Sequence, residues 1–182
     1  MTLFWIVIVF VIIERVLELG IAAHNAKWMF AQGAYEVGRS HYKYMVLVHM
    51  GFFLVLISEV LFWSTGLPSW WPLPLAVFGL AQSLRVWCLL SLGRFWNTRI
   101  IVLPGAKVVT RGPYRFIRHP NYVVVLLEFV SLPLLFQAYV TACLFTVLKL
   151  ILLAVRIPLE EKALQRATDY AQAFRGKSRF LP

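Results

Sequence analysis

Two short segments in the C-terminal half of the 182-residue chain carry the side chains best suited to binding chemistry. The first, Val109–Tyr122, reads VTRGPYRFIRHPNY and sets three arginines and a histidine among strongly apolar stretches. The second, Arg156–Glu161, reads RIPLEE and ends in two carboxylates. Charged side chains beside apolar segments are costly unless they bind something, so we interpret the two segments as the halves of one site.

Each half is expected to contain a helix start. Proline suits the first helical turn, where its missing N–H is no loss and its fixed φ is already helical. Pro120 would therefore begin a helix directly after His119. Pro158 would begin another helix, with Glu160 and Glu161 beside its amino end. Both starts are expected at one membrane face, where they would meet.

The composition indicates an integral membrane protein. Hydrophobic residues make up 60% of the chain and the mean hydropathy is +0.74, far above the values of soluble domains. Cys88 and Cys143 each stand alone in an apolar segment, so neither a disulfide framework nor a CxxC metal site is available, and we expect buried thiols. The histidines lack metal-ligand spacing, and no metal is expected.

Five apolar segments predict an all-α, polytopic membrane helical bundle. The last two are short and nearly contiguous, as in a helical hairpin, and the chain from Arg156 to about Phe174 has the mixed pattern of an amphipathic cytoplasmic helix. The predicted spans are Thr2–Ala23, Tyr44–Trp63, Pro72–Leu92, Tyr122–Phe136 and Tyr139–Val155.

The distribution of basic residues predicts the orientation. The net charge is +10, and the connections at residues 24–43 and 93–121 and the tail from 156 carry fifteen of the 18 Lys and Arg residues. The positive-inside rule puts these three segments in the cytoplasm and the N-terminus outside. Because topology explains the positive charge, nucleic-acid binding is not expected.

Charged residues inside spans are functional candidates because they are expensive there. Seven lie within or beside the predicted spans: Glu14, Arg15, Glu18, Glu59, Arg85, Glu128 and Lys149. Arg85 and Glu128 should reach a similar depth from the cytoplasmic side, which predicts a buried site open to the cytoplasm. The N-terminal cluster of two glutamates and an arginine reads either as a lock between helices or as part of the site, and Arg85 could instead be a structural partner of that cluster.

The chain resembles the isoprenylcysteine carboxyl methyltransferase family of integral membrane methyltransferases. The resemblance rests on GPY, RHPNY and the later Glu160-Glu161 pair in this order. It covers roughly the C-terminal half, and the supporting matches are Leu84-Arg85, Gly93, Asn97, Val109-Thr110, Arg156, Leu164, Tyr170 and Arg179-Phe180-Leu181-Pro182. It implies use of S-adenosyl-L-methionine without a Rossmann domain, and the chain has no GxGxxG motif.

The resemblance implies a set of cofactor-binding residues whose types suit this cofactor. Aromatic side chains would hold the adenine ring. Cationic side chains and helix-end N–H groups would bind the methionine carboxylate, and carboxylates would face the cationic groups of the cofactor. The expected residues are Tyr114, Arg118, His119, Pro120, Tyr122, Arg156, Glu160 and Glu161. Alternatives stay open: His119 as a helix cap, the two glutamates as partners of a helix dipole, and Tyr114 and Phe116 as interface anchors.

Methyl transfer is a displacement that depends mainly on orientation and water exclusion. The expected catalytic residues are Arg85, as a clamp for an acceptor carboxylate, and Asn97, which lies nearby in the loop together with Trp96. If the acceptor is a phenol or an enol, Glu128 or His119 would be the first candidate base.

The short chain is similar to prokaryotic relatives that methylate alkylpyrones and phenolic lipids, which implies a lipophilic acceptor entering from the bilayer of a prokaryotic cell membrane. We expect one membrane domain, residues 1–182, in which residues 1–92 shape the acceptor entrance and residues 93–182 form the cofactor-binding catalytic half. The alternatives are an NADPH-dependent membrane sterol or lipid reductase, a phospholipid N-methyltransferase and a non-catalytic scaffold.

Overall fold

The computed structural model describes residues 1–63 and 66–180 of the protein. Ser64 and Thr65, in the predicted link after the second span, and Leu181 and Pro182, in the C-terminal motif, lie outside the described residues. Five helices form the bundle: α1 (Thr2–Ala31), α2 (Arg39–Trp63), α3 (Pro72–Leu92), α4 (Pro120–Leu135) and α5 (Tyr139–Ala167).

The helices confirm the prediction of an all-α membrane bundle and an integral membrane protein. Among the described helices, three are long and apolar enough to cross a membrane: Arg39–Trp63, Pro72–Phe95 and Tyr139–Ala167. The shorter α4 is also apolar, and α1 is 30 residues long with its charged cluster near the middle. The orientation of the bundle stays a prediction.

The connection at residues 24–43 is shorter than predicted, because α1 continues to Ala31 and α2 already begins at Arg39. Between them lies a strand, β1 (Tyr35–Val37), which pairs antiparallel with β2 (Ile100–Val102) in the loop between α3 and α4. The sequence did not predict this small sheet, since three-residue strands are too short to show periodicity. The sheet ties the long basic loop to the α1–α2 connection.

The predicted helix start at Pro158 is wrong. The last span and the segment after it form one continuous helix, α5, with Pro158 inside it. Ile157 and Glu161 are both buried, so α5 remains packed on the bundle past the proline and tolerates the lost hydrogen bond. The two glutamates therefore lie near the carboxyl end of α5, which removes the helix-dipole interpretation. Only a four-residue helix follows, α6 (Tyr170–Ala173).

The end of the bundle that carries the α4–α5 turn, which we call the hairpin end, is held by an aromatic core. Phe52 stacks on Phe129 with ring centroids 4.4 Å apart, and Phe145 packs edge-on against Phe52. Glu59 of α2 accepts hydrogen bonds from the backbone N–H groups of Val140 (2.9 Å) and Thr141 (2.7 Å), capping the first turn of α5.

The opposite end, which we call the loop end, carries the α3–α4 loop and the C-terminal segment. Its apolar cluster consists of Cys88, Trp96, Tyr114, Tyr170 and Phe174. Cys88 is buried as predicted, whereas Cys143 is exposed on the outside of α5, so the expectation of a second buried thiol is wrong.

Candidate active site

A cavity of about 410 Å³ extends from the loop end into the membrane-spanning bundle. It is lined by residues of α1, α2, α3, α4 and α5, together with the α3–α4 loop and α6. Eight of the residues predicted for the site line it: Arg85, Asn97, Tyr114, Arg118, His119, Tyr122, Arg156 and Glu160. Three do not belong to the lining: Pro120, Glu128 and Glu161.

A relay of hydrogen bonds fixes Glu160 at the cavity wall. The guanidinium of Arg156 donates through Nη2 to the Thr98 carbonyl oxygen (2.7 Å) and through Nε to the Tyr122 hydroxyl oxygen (2.9 Å). The Tyr122 hydroxyl in turn donates to Oε2 of Glu160. The position of this carboxylate is therefore fixed by Tyr122 of α4, which Arg156, bound to the Thr98 carbonyl oxygen, holds in place, although Glu160 itself belongs to α5.

Glu161, its neighbour in sequence, belongs to a different cluster. Its carboxylate binds Nε2 of His119 (3.0 Å) and accepts two hydrogen bonds from Arg179 (2.7 and 3.1 Å). The backbone N–H of His119 also donates to the Arg179 carbonyl oxygen (3.1 Å). This cluster fastens the C-terminal segment to α4 and α5. His119 occupies the position before α4, but its side chain makes no capping hydrogen bond.

Two tyrosines outside the membrane-spanning helices, Tyr114 and Tyr170, line the cavity with neutral side chains. Burial raises the pKa of the Tyr114 phenol well above its usual value. Burial, reinforced by Glu161 and Glu160, also raises the pKa of the Tyr170 phenol. Both side chains therefore remain protonated near neutral pH and can act as hydrogen-bond donors rather than as bases.

The turn that carries Tyr114 is pressed against α3. Gly112, with φ +58°, lies so close to Ser91 that a Cβ at this position would come within 2.0 Å of the serine Oγ. The adjacent Arg111 donates from Nε to the Ser91 carbonyl oxygen (3.0 Å). A glycine is therefore required by both the backbone conformation and the close approach.

Inside the bundle, Arg85 is engaged by carboxylates. It is 3% exposed and donates from Nε to Oε1 of Glu128 (3.0 Å) and from Nη2 to Oε2 of the same residue, while Nη1 lies 3.5 Å from Glu18. Arg15 pairs with Glu18 and Glu14 (both 2.8 Å). The alternative considered from the sequence was that Arg85 pairs with the N-terminal cluster. Arg85 does reach Glu18 of that cluster, but its main partner is Glu128. The role of Arg85 as an acceptor clamp stays a prediction.

Sequence reasoning assigned no role to several residues that line the cavity. Lys149 was noted only as a charge within a span. Its spacing from Arg156 and Glu160 puts the three residues on one face of a helix, and this spacing could have identified it. Trp96, expected near the Arg85 clamp, does line the cavity, whereas Asn121 gave no signal of its own. In residues 1–63 and 66–180, no group of three or more His, Cys, Asp or Glu side chains could hold a metal ion.

Comparison with known proteins identifies the family of this chain. Residues 73–166 match the model of the isoprenylcysteine carboxyl methyltransferase (ICMT) family. The chain belongs to this family. The matched region runs from α3 to the last turn of α5, so it contains every predicted site residue, and it confirms the resemblance seen in the sequence. ICMT family membership makes the protein a membrane methyltransferase in general terms.

Relatives of this ICMT family protein extend the similarity beyond the family region. The chain is 48% identical over 163 residues to the uncharacterized protein YpbQ of Bacillus subtilis (strain 168), covering 90% of this chain and 97% of that protein. It is 28% identical over 151 residues to an uncharacterized protein of Haemophilus influenzae, covering 82% and 88% respectively. Both alignments are longer than the family region and therefore take in residues outside it.

Proposed function

We propose that the protein is an S-adenosyl-L-methionine-dependent O-methyltransferase that methylates a lipophilic acceptor within the membrane. The observation that carries the proposal is a continuous cavity that joins a polar, aromatic region at the loop end to a region between membrane-spanning helices. A cavity of this kind can bring a methyl donor that is soluble in water into contact with an acceptor that is soluble in lipid.

The loop end of the cavity has groups that suit this cofactor. Tyr114 and Tyr122 supply aromatic surface, Glu160 supplies a carboxylate, and Arg156 supplies a cation. At the loop end of the cavity, three atoms of lining residues are buried without a hydrogen-bond partner in the described structure: Trp96 Nε1, Asn97 Oδ1 and Asn121 Oδ1. Buried polar atoms normally have partners, so these three support a ligand with its own donors and acceptors.

S-adenosyl-L-methionine supplies, when bound, a methyl group activated by a sulfonium. In the proposal, Glu160 faces the cationic part of this ligand and is held there by Tyr122 and Arg156. Glu161 and His119 act as positioning residues, because they fix α5, α4 and the C-terminal segment around the cavity. The surrounding aromatic side chains exclude water from the reacting atoms.

The acceptor is proposed to enter from the bilayer between α1 and α2. Three residues of these helices line the cavity and are also substantially exposed: Leu19 (51%), Val46 (43%) and Met50 (60%). In a membrane this surface faces lipid tails, so an alkyl chain can follow it without crossing water. The acceptor group is a carboxylate resembling prenylcysteine or the hydroxyl of an alkylpyrone or phenolic lipid. The loop end is proposed to face the cytoplasm.

Isothermal titration of the purified protein in lipid nanodiscs tests the cofactor. We expect saturable binding of S-adenosylhomocysteine and no binding of NADPH. The matched controls are Glu160→Gln, which should weaken the binding of S-adenosylhomocysteine, and Lys162→Met, an exposed neighbour on the same helix that should leave it unchanged. Binding of NADPH without binding of S-adenosylhomocysteine would replace the proposal with a reductase.

A further inference from the structure

Lys149 is a basic side chain in the cavity that has no carboxylate within ion-pair distance among the described residues. It is 1% exposed and lines the cavity from α5. In residues 1–63 and 66–180, it makes neither an ion pair nor a hydrogen bond, and the contact found for its ammonium group is with the Phe129 ring, 5.5 Å from Nζ to the centroid. Of the other basic residues on helices that line the cavity, Arg15 and Arg85 are paired with carboxylates, and Arg156 donates to the Tyr122 hydroxyl oxygen and the Thr98 carbonyl oxygen.

Such a side chain calls for an anionic ligand. A buried ammonium group without a partner is strongly unfavourable, and a contact with an aromatic face offsets only part of this effect, so the charged form of Lys149 needs an anion. Arg85 is paired with Glu128, whereas no described glutamate lies within ion-pair distance of Lys149. Instead, its ammonium group is left beside a cavity, where an anionic oxygen of a ligand would complete the ion pair.

The position of Lys149 selects the acceptor rather than the cofactor as the source of that oxygen. Lys149, Arg156 and Glu160 lie seven and eleven residues apart and therefore on one face of α5. At 1.5 Å per residue, Lys149 is about 10 Å from Arg156 and about 16 Å from Glu160 along the helix axis. The lysine thus lies on the membrane side of the groups proposed for the cofactor.

The walls around Lys149 also suit an acceptor with an alkyl chain. Met45, His49 and Phe53 of α2 line the same cavity, and Met50 carries it to the exposed face of α2. His49 is bound through Nδ1 to the Met45 carbonyl oxygen (2.7 Å), so its own helix fixes the orientation of the ring.

We propose that Lys149 binds the anionic oxygen of the methyl acceptor, a carboxylate or the ionised hydroxyl of an acidic enol, with the alkyl chain directed between α1 and α2. This inference rests on the proposed function. On methylation, an electron pair of that oxygen forms the new O–C bond while the S–C bond breaks and its electrons go to sulfur. The oxygen loses its negative charge, so Lys149 binds the substrate more tightly than the product.

The test compares acidic lipids with their methylated forms in nanodiscs. The probe pairs are 4-hydroxy-6-tridecyl-2-pyrone with its 4-methyl ether and palmitate with methyl palmitate, each titrated in the presence of S-adenosylhomocysteine. We expect the wild type to prefer the acid in at least one pair by about 30-fold or more, as for one partner of a buried charge pair. Lys149→Met should abolish this preference, Lys149→Arg should retain part of it, and Lys162→Met should leave it intact.

Binding of S-adenosylhomocysteine separates the possible failures. If the wild type binds it but shows no preference for either acid, or if Lys149→Met keeps the preference, the role of Lys149 is overturned while the proposed function stands. If Lys149→Met weakens the binding of S-adenosylhomocysteine as strongly as that of the acid, the lysine serves the cofactor and the assignment to the acceptor is overturned. If the wild type binds no S-adenosylhomocysteine at all, the proposed function itself fails.

Discussion

Adjacent residues in this protein have different surroundings, as Glu160 and Glu161 show. Glu160 lines the cavity and is reached by the Tyr122 hydroxyl, whereas Glu161 is 5% exposed and is held by His119 and Arg179. The sequence identified both as site residues because the pair is part of the family resemblance. It could not separate them, since their partners come from segments distant in the chain.

This difference predicts that one of two matched substitutions lowers cofactor affinity and that the other lowers stability. Glu160→Gln keeps an acceptor for the Tyr122 hydroxyl but removes the charge at the cavity, so we expect affinity for S-adenosylhomocysteine to fall by about ten- to a hundredfold with little change in thermal stability. Glu161→Gln removes the charge facing Arg179, which is half-exposed, and should destabilise the protein by about 1–3 kcal/mol. Calorimetric titration and thermal unfolding measure the two effects. Equal effects of both substitutions on binding would contradict the distinction.

Arg85 offers a second test at the level of residues. Removing one partner of a buried ion pair leaves the other charge uncompensated at a cost of about 3–5 kcal/mol, whereas replacing both partners is often nearly neutral. We therefore expect Arg85→Met to lower the unfolding temperature, and Glu128→Leu in the same chain to restore part of the loss. Binding of S-adenosylhomocysteine should survive in the double variant. If Arg85→Met leaves stability unchanged and raises only the KM for the acceptor, Arg85 is the acceptor clamp expected from the sequence.

At the level of helices and loops, periodicity predicted most of the bundle but not its boundaries. The apolar runs predicted all five helices, and Pro120 begins α4 as expected. Pro158 failed as a start signal because buried residues on both sides hold α5 together across it. Packing along the whole helix outweighs the local preference of proline for a helix start. The sequence of this segment alone does not reveal that packing.

The close approach of Gly112 to Ser91 predicts a strong effect of one methyl group. Gly112→Ala would force the turn that carries Tyr114 away from α3, so both the unfolding temperature and the affinity for S-adenosylhomocysteine should fall. Gly105→Ala is the matched control, because Gly105 also has positive φ (+74°) but has no atom near its would-be Cβ. It should show only the backbone effect, about 1 kcal/mol. Equal losses in the two variants would mean that contact with Ser91 is unimportant.

At the level of the whole molecule, the cavity depends on parts of the chain that the family region does not include. Residues 73–166 provide the predicted site residues, while α1 and α2 provide Leu19, Met45 and Met50 on the membrane side. The sequence predicts an acceptor entrance formed by residues 1–92 and a cofactor-binding half formed by residues 93–182, and this division stays a prediction. The sequence could not reveal that Lys149 lacks a carboxylate partner, because this depends on how the spans pack against one another.

Methyl transfer to lipid tests the account most directly. Purified protein in nanodiscs that contain a bacterial lipid extract would be incubated with methyl-labelled S-adenosyl-L-methionine, and label in the organic phase would be counted and assigned by mass spectrometry. We expect a labelled lipid whose new methyl group is on oxygen, a strongly reduced yield with Glu160→Gln, and an unchanged yield with Lys162→Met. Label on the amine of a phospholipid headgroup, or no label above protein-free nanodiscs, would contradict the account.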